Sequence, residues 1–330
     1  LLISSAIVVK FICHFHYLAT MKSLILIIIG IFLSTSLSGQ EMLDILTISG
    51  RYGSPQSYES IYKGKAKEYG AMANLVAPIK LSEKSIWYNS VNYLYSHVSN
   101  EEEIPVDVAS PINLHGIIIR TGLYQKLSED RSIQILFAPR LMSDFNNING
   151  DHFQYGGIVL YEKKISDKLK MGYGAMYNQE LFGPYLTPLI NLNWQLSNRL
   201  SITGLLPVYA KVKYKINDRF TAGISHFGLI TTYKLGDLEY EGDYIERKSI
   251  DETLFGRYRI TGNIYLEGRF GHTFGRSYTQ YESDQKVGFS LPLIGFGDDR
   301  VQKNVSFKDG WITNLRLVYS IPIPEGKKAE

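Results

Sequence analysis

Along most of the chain apolar and polar positions take turns with a period of two, and short polar clusters interrupt the alternation. The run at the C-terminal end is clearest. Trp311, Thr313, Leu315, Leu317, Tyr319 and Ile321 fall on one face, and Ile312, Asn314, Arg316, Val318 and Ser320 on the other. Leu186, Pro188, Ile190, Leu192, Trp194 and Leu196 oppose Thr187, Asn191, Asn193 and Gln195 in the same way, and Ile264, Leu266, Phe270 and Phe274 oppose Glu267, Arg269 and Thr273. Successive strand side chains point to opposite faces, so each run reads as a strand with one greasy and one wet side. The pattern predicts an all-β protein.

Turn chemistry divides these runs into hairpins. An aliphatic residue followed by Ser, Asn or Thr and one or two polar residues recurs at Leu81-Ser82, Leu127-Ser128, Ile165-Ser166, Leu196-Ser197, Ile216-Asn217 and Ile260-Thr261. These side chains bond their own backbone or tolerate left-handed dihedrals. The markers are spaced unevenly, from 20 to 46 residues, which excludes a solenoid of fixed period. Two strands of about ten residues fit each interval, and the remainder forms polar loops at 53–65, 100–110, 144–151, 236–249 and 282–308. Short turns at one end and long loops at the other suit a closed antiparallel transmembrane β-barrel with periplasmic turns and external loops. Six turns give about fourteen strands, or twelve if the shortest interval, around Pro207, fails to form a hairpin. A soluble exported β-sandwich that binds a ligand is the competing architecture, because its strands also alternate.

The N-terminus reads as an address. Residues 1–20 lack an initiating Met and read as an upstream extension, whereas Met21, Lys22 and the apolar run Leu24 to Leu33 form a signal peptide over 21–39. The barrel is expected over 40–324, followed by a polar tail at 325–330. The one cysteine, Cys13, falls ahead of the expected mature start, which leaves no disulfide or thiolate site. With 35 Lys plus Arg against 32 Asp plus Glu, the chain has no charge imbalance for nucleic-acid binding. The 24 tyrosines are in excess of ordinary usage, and a barrel gives them a place. Trp87, Tyr124, Tyr161, Tyr173, Trp194, Tyr214 and Tyr258 lie within a few residues of short turns and are expected to form an aromatic girdle at the headgroup level.

The wet faces carry the candidate chemistry. Lys211, Lys213, Lys215, Arg257, Arg259, Arg269 and Arg316 are expected to build a basic lumen wall that attracts small anionic solutes, with Glu267 as its main acid and Glu162 and the loop acids as counter-charges. Ser290 to Gly297 is an apolar stretch in a polar loop, placed either in the pore or on the rim. His115, His152, His226 and His272 show no metal-ligand spacing, and Gly172-Tyr173-Gly174 falls inside a strand; neither a metal nor a cofactor is expected.

The signal ending Ser38-Gly39-Gln40-Glu41, the Ser-Asp-Lys turns and the Tyr/Gly-rich strands together resemble a family of Bacteroidota-type outer-membrane β-barrel proteins with no settled activity. That resemblance implies a barrel in the outer membrane of a Gram-negative-type bacterium, folded by the barrel-assembly machinery and surrounded by outer-membrane lipid. The last strand departs from the terminal aromatic residue common in such barrels, since Tyr319 is followed by Ile321-Pro322-Ile323-Pro324 and the polar tail Glu325 to Glu330. His97-Val98-Ser99-Asn100 resembles the His-x-Ser-Asn element of outer-membrane phospholipases and lipid A deacylases, although Glu101 replaces the glycine that follows and only Glu102 and Glu103 stand near as a third member. On this reading the protein is a pore or a structural envelope barrel, and the alternative is a lipid hydrolase using Ser99 and His97. The barrel reading predicts that the exported protein stays with the outer-membrane fraction and that an unheated gel sample migrates differently from a boiled one; a monodisperse species in detergent-free buffer would exclude it.

Overall fold

The computed structural model describes residues 42–59, 64–100, 104–105, 107–240 and 242–322. The expected signal segment, the upstream extension with Cys13, Glu101 to Glu103, and the polar tail lie outside the described residues. Fourteen staves run in chain order. They are β1 (Met42–Ser57), β2 (Lys65–Val76), β3 (Ser85–Ser99), β4 (Ile112–Lys126), β5 in two segments (Arg131–Phe137 and Arg140–Ser143), β6 (Gly156–Ser166) and β7 (Leu169–Glu180). The second half contains β8 (Gly183–Gln195), β9 (Leu200–Leu206), β10 (Tyr209–Lys215), β11 (Phe220–Lys234), β12 (Tyr244–Thr261), β13 (Ile264–Tyr281) and β14 (Trp311–Pro322). Each stave pairs antiparallel with its neighbours, and β14 returns to β1 with Ile321 opposite Leu43 and Ile312 opposite Gly53. The sheet therefore closes into a barrel, which rules out the sandwich.

The short turns form for the reason their residues suggest. Ser197 Oγ accepts from the backbone N–H of Arg199 at 3.2 Å and of Leu200 at 3.0 Å. Asn217 Oδ1 does the same for Arg219 and Phe220, at 2.9 Å each. These side chains replace the ladder where the chain reverses. The interval around Pro207 does form a hairpin: Pro207 and Val208 make the link, Val208 N–H donates to Leu205 O at 2.8 Å, and the count is fourteen rather than twelve.

Two expected loops are shorter than the polarity of their sequences implied. Gly53 to Ser57 belongs to β1, where Gln56 and Ser57 pair with β2, and Tyr244 to Ser249 belongs to β12, where it pairs with β11 and β13 and is mostly buried. β12 and β13 have 18 residues each, about 60 Å of extended chain, where roughly ten suffice to cross hydrocarbon. β9 and β10 have seven each. The wall is high on one side and low at this hairpin. Pro207 has no N–H to extend the ladder there.

Ile48, Leu254, Ile224, Leu315 and Leu317 stand exposed on the outer face, with Leu254 66 % accessible. Register links them around the wall: Ile48 lies opposite Leu317, Leu317 opposite Leu266, and Leu254 opposite Ile224. An apolar ring of this extent is more than a soluble surface carries, and it calls for an apolar surrounding.

At the loop end the interior is dry. Val98, Leu114, Met142, Tyr233 and Ile245 are completely buried and pack as one cluster with Ile112, Tyr278 and Phe307, drawing on β3, β4, β5, β11, β12, β13 and the final loop. Ser143 of β5 also pairs in parallel with Lys234 of β11, although five staves separate those strands around the wall. The barrel is pinched together here.

Leu317→Arg places a charge on the lipid face near the middle of β14 and is expected to cost about 2–4 kcal/mol in vesicles, read by urea unfolding. The inward change Ser49→Thr on the adjoining strand should leave the midpoint nearly unmoved.

Candidate functional site

The functional candidate is the lumen, whose inward strand faces carry two charge clusters. Nearer the turn end, Glu267 of β13 is completely buried and four cations converge on it. Arg269 approaches to 2.6 Å, Arg316 to 2.8 Å, Lys211 to 3.1 Å and Arg257 to 3.7 Å. Arg257 Nη2 also donates to Asp44 Oδ1 at 2.8 Å, and its guanidinium lies 4.5 Å from the centre of the Tyr265 ring. Nearer the loops, Glu68 of β2 holds Arg276 at 3.0 Å, Arg51 at 3.2 Å and Arg247 at 3.5 Å, and Tyr278 donates its hydroxyl at 2.7 Å. Arg51 also pairs with Asp251. Over the two clusters seven cations face four carboxylates. A buried charge survives only with a partner, so each carboxylate fixes the strands that present its cations.

Solvent reaches the two clusters differently. The Arg276 and Glu68 side chains are each 1 % accessible, whereas Lys211 is 20 % and Asp44 30 %. Tyr209 and Phe227, paired across β10 and β11 on the face that carries Lys211, are also open to water. The interior is thus a wet vestibule toward the turns and a sealed core toward the loops.

Of the expected basic residues, Lys211, Arg257, Arg269 and Arg316 come together around Glu267. Lys215 instead pairs with Asp218 of its own turn at 2.8 Å, Lys213 lies across from Gly223 of β11, and Arg259 stands near the mouth across from Tyr265. Glu162 does not serve this wall. It lies on β6 and is taken up by Lys170 at 2.7 Å, Asn191 at 2.5 Å and Ser132 at 3.1 Å. Asp44 and the whole Glu68 cluster escaped the sequence reading, because Arg257, Arg247 and Arg276 sit some 200 residues from the carboxylates they meet and become neighbours only when the barrel closes.

Trp87, Tyr173, Trp194 and Tyr258 are exposed on the outer face near the turns; Tyr161 lies tilted against Tyr173 with ring centres 5.5 Å apart, and Tyr214 alternates with the inward lysines of β10. Tyr124 is a correction. Leu123 lies opposite the outward Trp87, so the pleat turns Tyr124 into the lumen, where Lys170 sits 5.7 Å from its ring. A second outward aromatic set, nearer the loops, was not expected: Tyr52, Tyr69 and His97 adjoin on β1 to β3, and Phe270, His272 and Trp311 on β13 and β14.

His97 and Ser99 share the outer face, but His97 Nδ1 meets Asn113 Oδ1 at 2.7 Å, and among the described residues no hydrogen bond joins it to Ser99. His115 bonds Tyr93 at 2.9 Å, His226 pairs with Glu252 at 2.5 Å, and His152 is buried in the Gly150–His152 turn. Among the described residues no group of three or more His, Cys, Asp or Glu is arranged to hold a metal.

The apolar stretch Ser290 to Gly297 lies on the rim. Phe289–Leu291 and Ile294–Phe296 form a small hairpin, Ser290 pairs in parallel with Tyr185, and Leu293 is 85 % accessible. It covers the part of β8 that the short β9 leaves unpaired. Arg300 clasps this final loop to the barrel: Nη1 donates to Glu246 at 3.1 Å, Nε donates to Asp298 at 2.8 Å, and the guanidinium lies 4.2 Å from the Tyr281 ring centre. Hydrogen bonds from Arg300 hold the Asp298 carboxyl below its ordinary value. Lys303 is raised by its bond to Asp243. A lowered carboxylate stabilises in full above its ordinary pKa and loses that contribution as pH falls through the lowered value, whereas a raised lysine loses its share only at the alkaline extreme. The clasp should therefore hold from about pH 4 upward through neutrality. Arg300→Gln should open the loop to trypsin at Lys286 and Lys303 at neutral pH, and acidifying the wild type below that range should raise hydrogen exchange in the same segment.

Among curated proteins no match is found. Of solved structures, the COG4313 outer membrane channel from Pseudomonas putida F1 is similar at 10 % identity and a TM-score of 0.43, over 87 % of this chain and 100 % of that one. A TodX monoaromatic hydrocarbon channel mutant is similar at 10 % identity and 0.40, over 88 % and 92 %, and the NanC porin at 13 % and 0.35, over 83 % and 98 %. The profile of a domain of unknown function, DUF6268, matches residues 45–309, and the chain belongs to that family.

Proposed function

We propose that the protein is an outer-membrane barrel that admits small anionic solutes through a partly basic lumen, with the loop end closed in the state described. The carrying observation is the surplus of cations over carboxylates along β10 to β14 and β1, in the half of the lumen that water reaches. Confined positive charge beside low-dielectric walls raises the local concentration of anions. The apolar outer ring supports a bilayer location, and the short-turn end would face the periplasm. Export by a cleaved signal, folding by the barrel-assembly machinery and contact with outer-membrane lipid belong to the same reading.

A structural envelope barrel is the second reading, favoured by the dry cluster around Tyr233, Ile245 and Met142. Planar-bilayer recording of refolded protein separates the two. The conduit reading expects small or intermittent conductance from the wild type, and larger conductance with anion preference once the final loop is shortened between Glu282 and Gly310. Neutralising Lys211, Lys213 and Lys215 together should lower that preference several-fold. A shortened-loop variant that is folded yet silent at all voltages would leave the structural reading.

A further inference from the structure

On the wall formed by β3, β4 and β5 the lumen presents hydrogen-bond donors with no acceptor to receive them. Register sets Ser90 directly across from Arg120, Tyr88 across from Gly122, and Asn92 across from Ile118. Their chain neighbours Trp87, Val91 and Ile119 stand exposed on the outer face, so the pleat turns Tyr88, Ser90, Asn92 and Arg120 inward. Ser90 is 2 % accessible and its hydroxyl is without a hydrogen-bond partner, as is Asn92 Nδ2. Arg140, across from Ile118 on β5, commits Nη2 to Glu180 at 2.9 Å and keeps Nε unpartnered.

Arg120 differs from the arginines around it. Arg140, Arg247, Arg257, Arg269 and Arg316 each hold a carboxylate within 4.0 Å. Among the described residues none does so for Arg120, whose ionisable neighbours are Tyr88, Arg140 and Tyr209. Glu162, the acid on the adjoining wall, is already occupied by Lys170, Asn191 and Ser132.

We propose that Arg120, with Ser90, Asn92, Tyr88 and Arg140 Nε, is a binding station for a small oxyanion, a phosphate or carboxylate group. A guanidinium offers a planar fork of N–H groups and no acceptor, and a phosphate or carboxylate presents two oxygens at matching separation. The hydroxyl of Ser90 and the amide of Asn92 add donors beside it, and a half-buried cation with no carboxylate beside it stays uncompensated until such an anion arrives. The station rests on the reading of a lumen that admits anions and gives it a chemical class and a place to pause.

Calorimetric titration of the refolded barrel in an uncharged glycoside detergent, with inorganic phosphate and with acetate in separate chloride-free runs, tests it. The wild type should take up one of the two anions saturably, and the run that saturates identifies the group. Arg120→Gln should weaken uptake more than tenfold, Arg120→Lys should recover part of it as a point charge without the fork, and Lys80→Gln, in the exposed turn before β3 where it pairs with Glu83, should leave it unchanged. Heat-shift gels report folding, and if Arg120→Gln does not fold, the Ser90→Ala, Asn92→Ala double variant carries the test with an expected several-fold loss. Unaltered affinity in the folded variants, or no saturable uptake by the wild type, overturns the station. Saturable uptake that depends on Arg120, with no anion preference in bilayers, would keep the station and discard the conduit; anion preference without such uptake would do the reverse.

Discussion

A peptide group taken out of water must find its partner within the protein, and that constraint governs the fourteen staves of this chain. Strands satisfy their N–H and C=O groups only laterally, so an open sheet would leave two edges bare in lipid. The ladder between β14 and β1 removes both edges. Closure also creates an inside, and the inward faces then meet residues from the far end of the sequence. Arg257 reaches Asp44 across 213 positions, and Tyr278 reaches Glu68 across 210. The charge clusters are thus a product of closure and at the same time brace it, since removing one carboxylate strands several cations at once.

The inside is divided by how far water penetrates. Toward the turns, Lys211 and Asp44 remain accessible, and polar groups there need not all be paired. Toward the loops, Val98, Leu114, Met142, Tyr233 and Ile245 exclude water as the core of a soluble domain does. Buried ion pairs such as Arg276 with Glu68 lie in this dry part, where their mutual attraction is least screened and separating them is most costly. The final loop adds a third layer, held by Arg300 and seated on the part of β8 that lacks a strand partner.

What could be read from the sequence was local. Ser197 and Asn217 signal turns because the bonds that make those turns span two or three residues, and the faces of β14 follow from alternation alone. The fourteen-stave count follows from the same two signals. Tyr124 was misassigned because its distance from a turn says nothing of which way the pleat points; that is set by pairing with β3. Polarity misled at 53–57 and 244–249, where charged residues such as Glu246 and Arg247 are buried against partners from distant loops and strands, so no apolar periodicity marks the segments as strand. The counter-charges Asp44 and Glu68 could not be found from alternation at all, because a stretch such as Lys65-Ala66-Lys67-Glu68 reads as an ordinary solvated segment until the barrel places Arg247 and Arg276 beside it.

The unequal height of the wall reaches beyond the protein. Seven extended residues tilted in a barrel rise less than the roughly 25 Å of a usual outer-membrane apolar band, whereas neighbouring staves exceed it. In a bilayer, hydrocarbon thickness would have to adapt where β9 and β10 met acyl chains, so a leaflet would thin along that flank and keep its full depth around β12 and β13. The molecule would thus sit in its membrane with a built-in dimple on one side, a local deformation that favours short or disordered tails and gives a radially closed cylinder a definite front and back.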